Sequence, residues 1–504
     1  MHEAVVSSVS APLASHYTLI DGDILCIRVL HYLPYTHRTI DPDMRRRRPT
    51  PYHSAVRVLN SVMGKKRSLE SAWSAEASKL PQWERSRLRE LCSGALRHYH
   101  QLDAELAPHV EREVYLEGRE AASAAADPRL RSLMVLALYQ GRHMEGEAST
   151  AQLRAHAIEC CSQELRKPAA ANLVSMVLGR VDDAAHGRAA ARLSAASRLS
   201  LPSWLHDALR ASAPKGAFQA YAPLLLERPD SLCLNVNPAR WSLHEYGRLL
   251  KAAEWPFSPC DFAPHGVVIH ERPRDPKLLP GLAEATRPVF VQDSVQQWGV
   301  AQLPPLGASS RVLDACAAPG GKSRALLHHA PRARLTAIDR NPRKVDELRR
   351  AGLPPDSDRV RIDCGDAAEP RGWWDGEPFD AIVLDVPCSG TGVLRAKPEV
   401  KHHQDPQSVA ALCATQRRML RALWPLLRPG GTLLYMSCSL LRSENDDAVG
   451  DLLRANRDAE VRRTAPPSGA AAHRTSFGVL FCPSKTHQGG FVSVLRKAEP
   501  RDYN

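Results

Sequence analysis

The sequence predicts an all-α segment followed by an α/β domain built on a mostly parallel sheet. Three observations carry this. From Pro51 to Val181 apolar residues recur at the i, i+3, i+4 and i+7 spacing of an amphipathic helix. From Arg311 onward short β-rich runs alternate with helical stretches, the signature of a parallel α/β sheet. Between them, Pro202 to Pro288 mixes brief strand-like runs with a helix and reads as a small α/β connector. A chain of 504 residues is long enough for about three such units. Lys and Arg number 67 against 55 acids, and the resulting charge of +12 suits a polyanionic partner without identifying one. No run of about 18 apolar residues is present, so a membrane span is not expected. The twelve cysteines are scattered, and Cys160-Cys161 lacks the spacing of a metal half-site. With no export signal apparent, reduced thiols, a cytoplasmic location and no metal are expected.

Taken in order, residues 1–50 mix His, Pro and Tyr without a period and end in Met44-Arg45-Arg46-Arg47-Arg48-Pro49. They read as a basic, disordered extension. Residues 51–185 form the all-α domain of six or seven helices. Ala55, Val56, Leu59 and Val62 lie on one apolar face, Leu88, Leu91, Ala95 and Leu96 on another. Pro81 and Pro128 sit where helices begin, with Asp127 as a cap, and Gly141 and Gly179 are placed as stops. In the connector, 200–288, Leu232–Asn237 and Val267–Ile269 read as strands, and Ser242 caps a helix running to Ala253. The last domain, 289–500, has strands at Arg311–Asp314, Arg334–Asp339, Val360–Asp363, Ala381–Leu384 and Thr432–Ser437. Gly478–Phe481 and Gly490–Leu495 form a closing hairpin.

The first of these strands runs into Ala315-Cys316-Ala317-Ala318-Pro319-Gly320-Gly321-Lys322. Glycines at such a turn let a ligand approach the backbone at the carboxyl edge of the sheet. A phosphate-binding P-loop is not satisfied, because Cys316 occupies its first glycine position, and GxGxxG is absent. Asp339, 18 residues after Gly321, ends the second strand and is placed to accept from ribose hydroxyls. Asp363-Cys364-Gly365-Asp366 ends the third and can meet an adenine amino group. Acids at strand ends are also ordinary helix caps. Together, however, a glycine turn without a phosphate cradle and two such acids suit a nucleoside cofactor lacking phosphates, of which S-adenosylmethionine is the common one.

The fourth strand delivers Asp385-Val386-Pro387-Cys388-Ser389-Gly390-Thr391-Gly392 and the fifth Ser437-Cys438-Ser439. A single cysteine is most often a small buried hydrophobe. Two at strand ends on the proposed cofactor side suit covalent chemistry. Enzymes of this architecture that methylate exocyclic nitrogens carry an aromatic after the fourth strand; here a thiol stands instead. Carbon 5 of a pyrimidine becomes nucleophilic once a thiolate adds to carbon 6.

This ordered set resembles the RNA 5-methylcytosine methyltransferases, and within them the bacterial subgroup acting on small-subunit ribosomal RNA (RsmB, Sun or Fmu). The similarity extends through Arg395, Lys397-Pro398-Glu399, Lys401, Gln416 to Pro425, Leu427-Arg428-Pro429-Gly430-Gly431 and Glu444-Asn445. Upstream it covers Pro202-Ser203-Trp204-Leu205, Leu234-Asn235-Val236-Asn237 and Val291-Gln292-Asp293. The resemblance implies a Rossmann-like class I methyltransferase domain with a mostly parallel seven-stranded sheet, preceded by an all-α NusB-like RNA-binding domain. It implies methylation of cytosine carbon 5 in 16S ribosomal RNA by a monomer. Cys438 would be the nucleophile, Asp385 would bind the cytosine edge, and Cys388 would assist breakdown of the adduct. Cys316, Ala317, Ala318, Pro319, Gly320, Gly321, Lys322, Asp339, Asp366 and Asp385 would line the S-adenosylmethionine site. Arg395, Lys397 and Lys401 would hold RNA, helped by basic residues of the helical segment such as Arg89 and Arg97. The chain departs from the family pattern at Ser437, usually Thr, at His402-His403, where an aromatic is common, and at Ser175, often Asn. Two other readings remain open: a relative acting on tRNA or another RNA, and a non-catalytic RNA-binding factor of the NusB-like kind.

Overall fold

A computed structural model describes residues 50–117, 127–144, 149–184, 193–273, 275–284, 286–350, 353 and 359–500. The predicted basic extension, apart from Thr50, lies outside them. Six α-helices build the helical domain: α1 (Pro51–Lys65), α2 (Leu69–Ala77), α3 (Gln82–Glu117), α4 (Pro128–His143), α5 (Thr150–Gln163) and α6 (Ala171–Ala184). Their starts follow the local chemistry. The Thr50 hydroxyl accepts from His53 N ahead of Pro51, Asp127 accepts from Arg129 N ahead of Pro128, and Ser149 and Gln152 form a reciprocal capping box. The predicted stops at Gly141 and Gly179 are corrected: both lie inside helices. Neither adopts the positive φ of a C-terminal cap. Instead a Cβ on Gly141 would lie 3.0 Å from Leu153, and one on Gly179 2.8 Å from Arg154. These glycines let α5 approach closely.

Three short helices follow, α7 (Ala195–Arg198), α8 (Ser203–Ser212) and α9 (Ala217–Tyr221). The connector is a four-stranded sheet of order β2-β3-β1-β4, with β1 (Leu232–Val236), β2 (Phe257–Pro259), β3 (Gly266–Ile269) and β4 (Val289–Val291). Helix α10 (Leu243–Ala252), capped by Ser242 with Glu245, packs against it through Tyr246 and Leu250. Both predicted connector boundaries move. β4 pairs with β1, so this sheet extends past residue 288 to Val291. At the other end Leu205, Leu209, Phe218 and Tyr221 pack into the core beneath the large sheet, so α8 and α9 belong with the last domain.

That domain contains α11 (Ser294–Ala301), β5 (Arg311–Ala315), α12 (Gly321–His329), β6 (Arg334–Asp339), α13 (Pro342–Arg349), β7 (Val360–Cys364) and β8 (Phe379–Asp385). It continues through α14 (Val400–His403), α15 (Pro406–Leu423), β9 (Leu427–Ser437), α16 (Asp446–Ala455), β10 (Ala459–Val461), β11 (Ala472–Arg474), β12 (Val479–Phe481) and β13 (Gly490–Lys497). Its sheet has nine strands among the described residues, in order β11-β12-β13-β9-β8-β5-β6-β7 with β10 on β13. The expectation of seven mostly parallel strands is corrected. The run β7-β6-β5-β8-β9 is parallel, the remaining pairs are antiparallel, and the unforeseen β10 and β11 are three residues each, too short to leave a period. Strand order reverses at β5, between β6 and β8, which opens a crevice at the carboxyl ends of these strands. Among the described residues no helix is long and apolar enough to cross a membrane.

The helical and sheet domains are stapled by backbone carbonyls. Lys401 Nζ donates to Arg97 O at 2.5 Å and Ser200 O at 2.6 Å, and Arg97 donates to Arg395 O at 2.7 Å. His402 and His403 bond the carbonyls of Leu96 and Val62, and His402 stacks on His100. Within the helical domain α3 meets α4 where Gly94 lies under Tyr139; a Cβ at 94 would be 1.9 Å from the Tyr139 ring. The ring is buried and its hydroxyl donates to Glu90, so it has little room to yield. Gly94→Ala is expected to cost about 1–3 kcal/mol by overpacking, read as a lower urea midpoint at unchanged slope.

Candidate active site

The carboxyl ends of β5, β6, β7, β8 and β9 converge on one crevice. After β5 the chain turns through Cys316 and Gly320, both at positive φ, before Gly321 opens α12. Above Gly321 a Cβ would meet only Gln292 Nε2, at 3.9 Å, so the turn faces open space. Asp314 is buried, accepts from Ser323 Oγ at 2.6 Å, and leaves its other oxygen without a partner. Burial raises its pKa to about 7. Burial, with Asp385, Asp339, Asp314 and Asp366 nearby, pushes the Cys316 thiol up to about 12. The four acids that crowd it outline the crevice. Asp339 Oδ1 accepts from Asn341 N at 3.0 Å, and Asp366 Oδ1 from Ala368 N at 2.8 Å. Each acid therefore shapes its own turn with one oxygen. A cavity of roughly 520 Å³ opens at the end of β7, lined by Cys364, Asp366 and Trp373 among others. Open glycine turn, strand-end carboxylates and adjoining cavity fit a phosphate-free nucleoside cofactor.

The loops after β8 and β9 bring Cys388 and Cys438 together, their sulfurs 3.1 Å apart. Backbone contacts fix this approach: Gly392 N donates to Cys438 O at 2.8 Å, Gly489 N to Gly392 O at 2.8 Å, and Leu440 N to Thr391 Oγ1 at 2.9 Å. A Cβ on Gly392 would lie 2.3 Å from Gly489 O, so only glycine fits there. Lys322 forms an ion pair with Asp385. Burial works against the Lys322 charge, but Asp385, Asp314 and Cys438 together outweigh it and raise its pKa. The hydrogen bond from Cys388 lowers the Cys438 pKa; burial and Asp385 oppose this, while Lys322 and Lys397 reinforce it. Cys388, giving that hydrogen bond and facing Glu444 and Asp385, is pushed well up and keeps its proton. Of the two thiols, Cys438 is therefore the more acidic.

Several supports carry no role in the sequence reading. Glu444, buried, accepts from Ser389 N at 2.8 Å and Gln416 Nε2 at 3.0 Å, and from the Ser389 and Ser439 hydroxyls. It ties both cysteine loops to α15. Asn445 accepts from Ser437 Oγ at 2.6 Å and donates to Ser439 O at 2.9 Å, so the serine retains a hydroxyl contact. From the connector, Asn235 donates to Gln292, which donates to Gly321 O at 3.2 Å and steadies the glycine turn. These residues lie within the motifs, but a polar side chain's partner across the fold leaves no mark in spacing.

Of the predicted RNA contacts, Lys401 is corrected, and Arg395 is turned away from the crevice. Lys401 is 4% exposed and spends its ammonium on the carbonyls of Arg97 and Ser200. Arg395 is 1% exposed and bonds the carbonyls of Ser484 and Arg228. Neither offers its charge at the crevice surface. Lys397, exposed, lies close enough to Cys438 to favour its thiolate.

Fold and crevice define a methyltransferase of the S-adenosylmethionine-dependent class. The chain belongs to the 16S rRNA methyltransferase RsmB/F family, whose description matches residues 302–496. It is 34% identical over 465 residues to the ribosomal RNA small subunit methyltransferase B of Xanthomonas campestris pv. campestris, covering 88% of this chain and 95% of that protein. The protein of the same name from Pseudomonas syringae pv. tomato is 31% identical over 471 residues, 90% and 98% of the two chains. The fold is shared with the crystal structure of PH0851, at TM-score 0.69 and 18% identity over 89% of this chain and 99% of that one. A methyltransferase homologue from Pyrococcus horikoshii gives 0.51 and 21%, over 60% and 100%.

Peptide-resolved iodoacetamide labelling tests the thiol assignment. Reactivity follows the thiolate, so Cys438 should label with a midpoint pH below the 9 of an unperturbed thiol. Lys322→Met removes a cation that stabilises the thiolate, and the midpoint should move upward. An unchanged profile in that variant would contradict the electrostatics.

Proposed function

We propose that the enzyme transfers a methyl group from S-adenosylmethionine to carbon 5 of a cytosine in 16S ribosomal RNA, through a covalent bond to Cys438. The observation that carries this is the pair of sulfurs 3.1 Å apart, in surroundings that lower the Cys438 pKa and raise that of Cys388. In this reading Cys316 through Lys322, with Asp339, Asp366 and Asp385, hold the cofactor, which supplies an electrophilic methyl group when bound. Asp385, oriented by Lys322, receives the cytosine edge. The Cys438 thiolate forms a bond to carbon 6, which makes carbon 5 nucleophilic. After carbon 5 is methylated its proton passes to water, the C–H electron pair restores the double bond between carbons 5 and 6, and the sulfur leaves carbon 6 as the Cys438 thiolate, which the Cys388 S–H stabilises by hydrogen bonding. A target cytosine within a duplex must leave the stack to meet the sulfur, at a cost of a few kcal/mol. The helical domain, read as NusB-like, docks the RNA, and the enzyme works as a cytoplasmic monomer.

Cys438→Ser is expected to abolish methyl transfer while leaving S-adenosylmethionine binding intact, measured with tritiated cofactor and by calorimetry. Cys388→Ala should instead accumulate a protein–RNA adduct that survives a denaturing gel. Normal turnover without an adduct in that variant would refute the division of labour. Bisulfite mapping of ribosomal RNA from a deletion strain should show one cytosine losing its mark; loss in tRNA alone would refute the substrate.

A further inference from the structure

A second concave site lies where the helical domain, the connector and the sheet domain meet. Its volume is roughly 80 Å³, and five arginines line it: Arg89 and Arg97 from α3, Arg228 and Arg272 from the segments flanking β1 and β3, and Arg395 from the loop before α14. We propose that this pocket binds one phosphodiester of the RNA substrate and so grips the strand away from the reacting base.

Charge counting supports an anion. Three of the five guanidinium groups face a carboxylate: Arg89 with Glu70 at 2.9 Å, Arg228 with Glu90 at 3.2 Å and Arg395 with Glu227 at 3.9 Å. Arg97 and Arg272 have no acidic ion-pair partner among the described residues, so two of the five cations are not directly paired, with Asp230 a further carboxylate acting on Arg395. The wall is polar and underused: Arg395 is 99% buried, yet its Nε has no hydrogen-bond partner. The like charges also crowd each other. Burial, with Arg228 and Arg395 alongside, lowers the Arg97 pKa to about 10 despite Glu90. Burial together with Arg228 and Arg89 lowers that of Arg272. A phosphate oxygen in the cavity relieves this repulsion and matches the forked guanidinium geometry. Arg97 and Arg395 form the buried wall, while Arg89, Arg228 and Arg272 remain open to solvent at the rim. Arg395 lies seven positions after Cys388, so the pocket wall lies within about 25 Å of the thiol, a reach the RNA strand itself can span.

The inference rests on the reading of the chain as an RNA methyltransferase, and its test is separable from that reading. The full-length protein, the double variant Arg228→Gln/Arg272→Gln, the single variant Arg272→Gln and a distant surface control, Arg463→Gln, are titrated with a 20-nucleotide single-stranded RNA across a salt series. The double variant should bind about tenfold more weakly, and its log–log salt slope should shrink by roughly 0.7, the loss of one single-strand phosphate contact. The single variant should move the same way by less, and the control and S-adenosylmethionine affinity should not change. Inorganic phosphate at constant ionic strength should raise the melting temperature of the wild type more than that of the double variant. Wild-type slope and affinity in the double variant, or an equal loss in the control, would overturn the proposal. So would loss of phosphate stabilisation with an unchanged RNA slope, which would mark a site for free anions. A wild-type protein that shows the slope difference yet methylates no cytosine would instead overturn the assigned reaction and leave the pocket standing.

Discussion

Two sulfur atoms stand closer than van der Waals contact, and their surroundings make the one near Lys322 and Lys397 the more acidic of the pair. This asymmetry depends on parallel pairing of β8 with β9, which sets Asp385 level with Met436 and releases both loops on the same edge of the sheet. Pairing alone would leave the loops free to part. Glu444 prevents that by collecting donors from both loops and from α15. A buried carboxylate satisfied wholly by neutral donors is costly to form and rigid once formed. The cysteines are therefore held as a pair before any substrate arrives.

The helical domain takes part in that rigidity. Arg395 through His403 follow the Cys388 loop directly, and their side chains and carbonyls are tied to α1, α3 and Ser200. The bonds are mostly from charged or ring nitrogens to carbonyls, which neutral packing could not replace without leaving acceptors unmet. The connector plays the corresponding part for the cofactor side, through Asn235 and Gln292 on the Gly321 carbonyl. Each of the two upstream units thus buttresses one half of the crevice.

Much of this was legible in the residues. β6 occupies Arg334–Asp339 as the alternation indicated, and the caps at Asp127 and Ser242 form as their chemistry requires. The glycine turn, the strand-end acids and the paired cysteines share one crevice. What was not legible depended on partners distant in sequence. Lys401 looks like a phosphate ligand in a basic motif, and only the packing of α3 reveals that carbonyls claim its ammonium, while the Arg395 guanidinium is turned to the carbonyls of Ser484 and Arg228. Gly141 and Gly179 look like stops because an interior glycine's purpose, the nearness of another helix, is a tertiary fact. The same holds for β4, whose three residues gain meaning from pairing with β1.

The placement of Leu205, Leu209, Phe218 and Tyr221 beneath the large sheet bears on how this chain can be divided. A fragment cut at the apparent start of the catalytic half, near residue 289, would lose the cover over one oily face and expose it to water, inviting aggregation. A piece that keeps this cover begins before Leu201 and carries the four-stranded connector with it, as an insertion within a larger body.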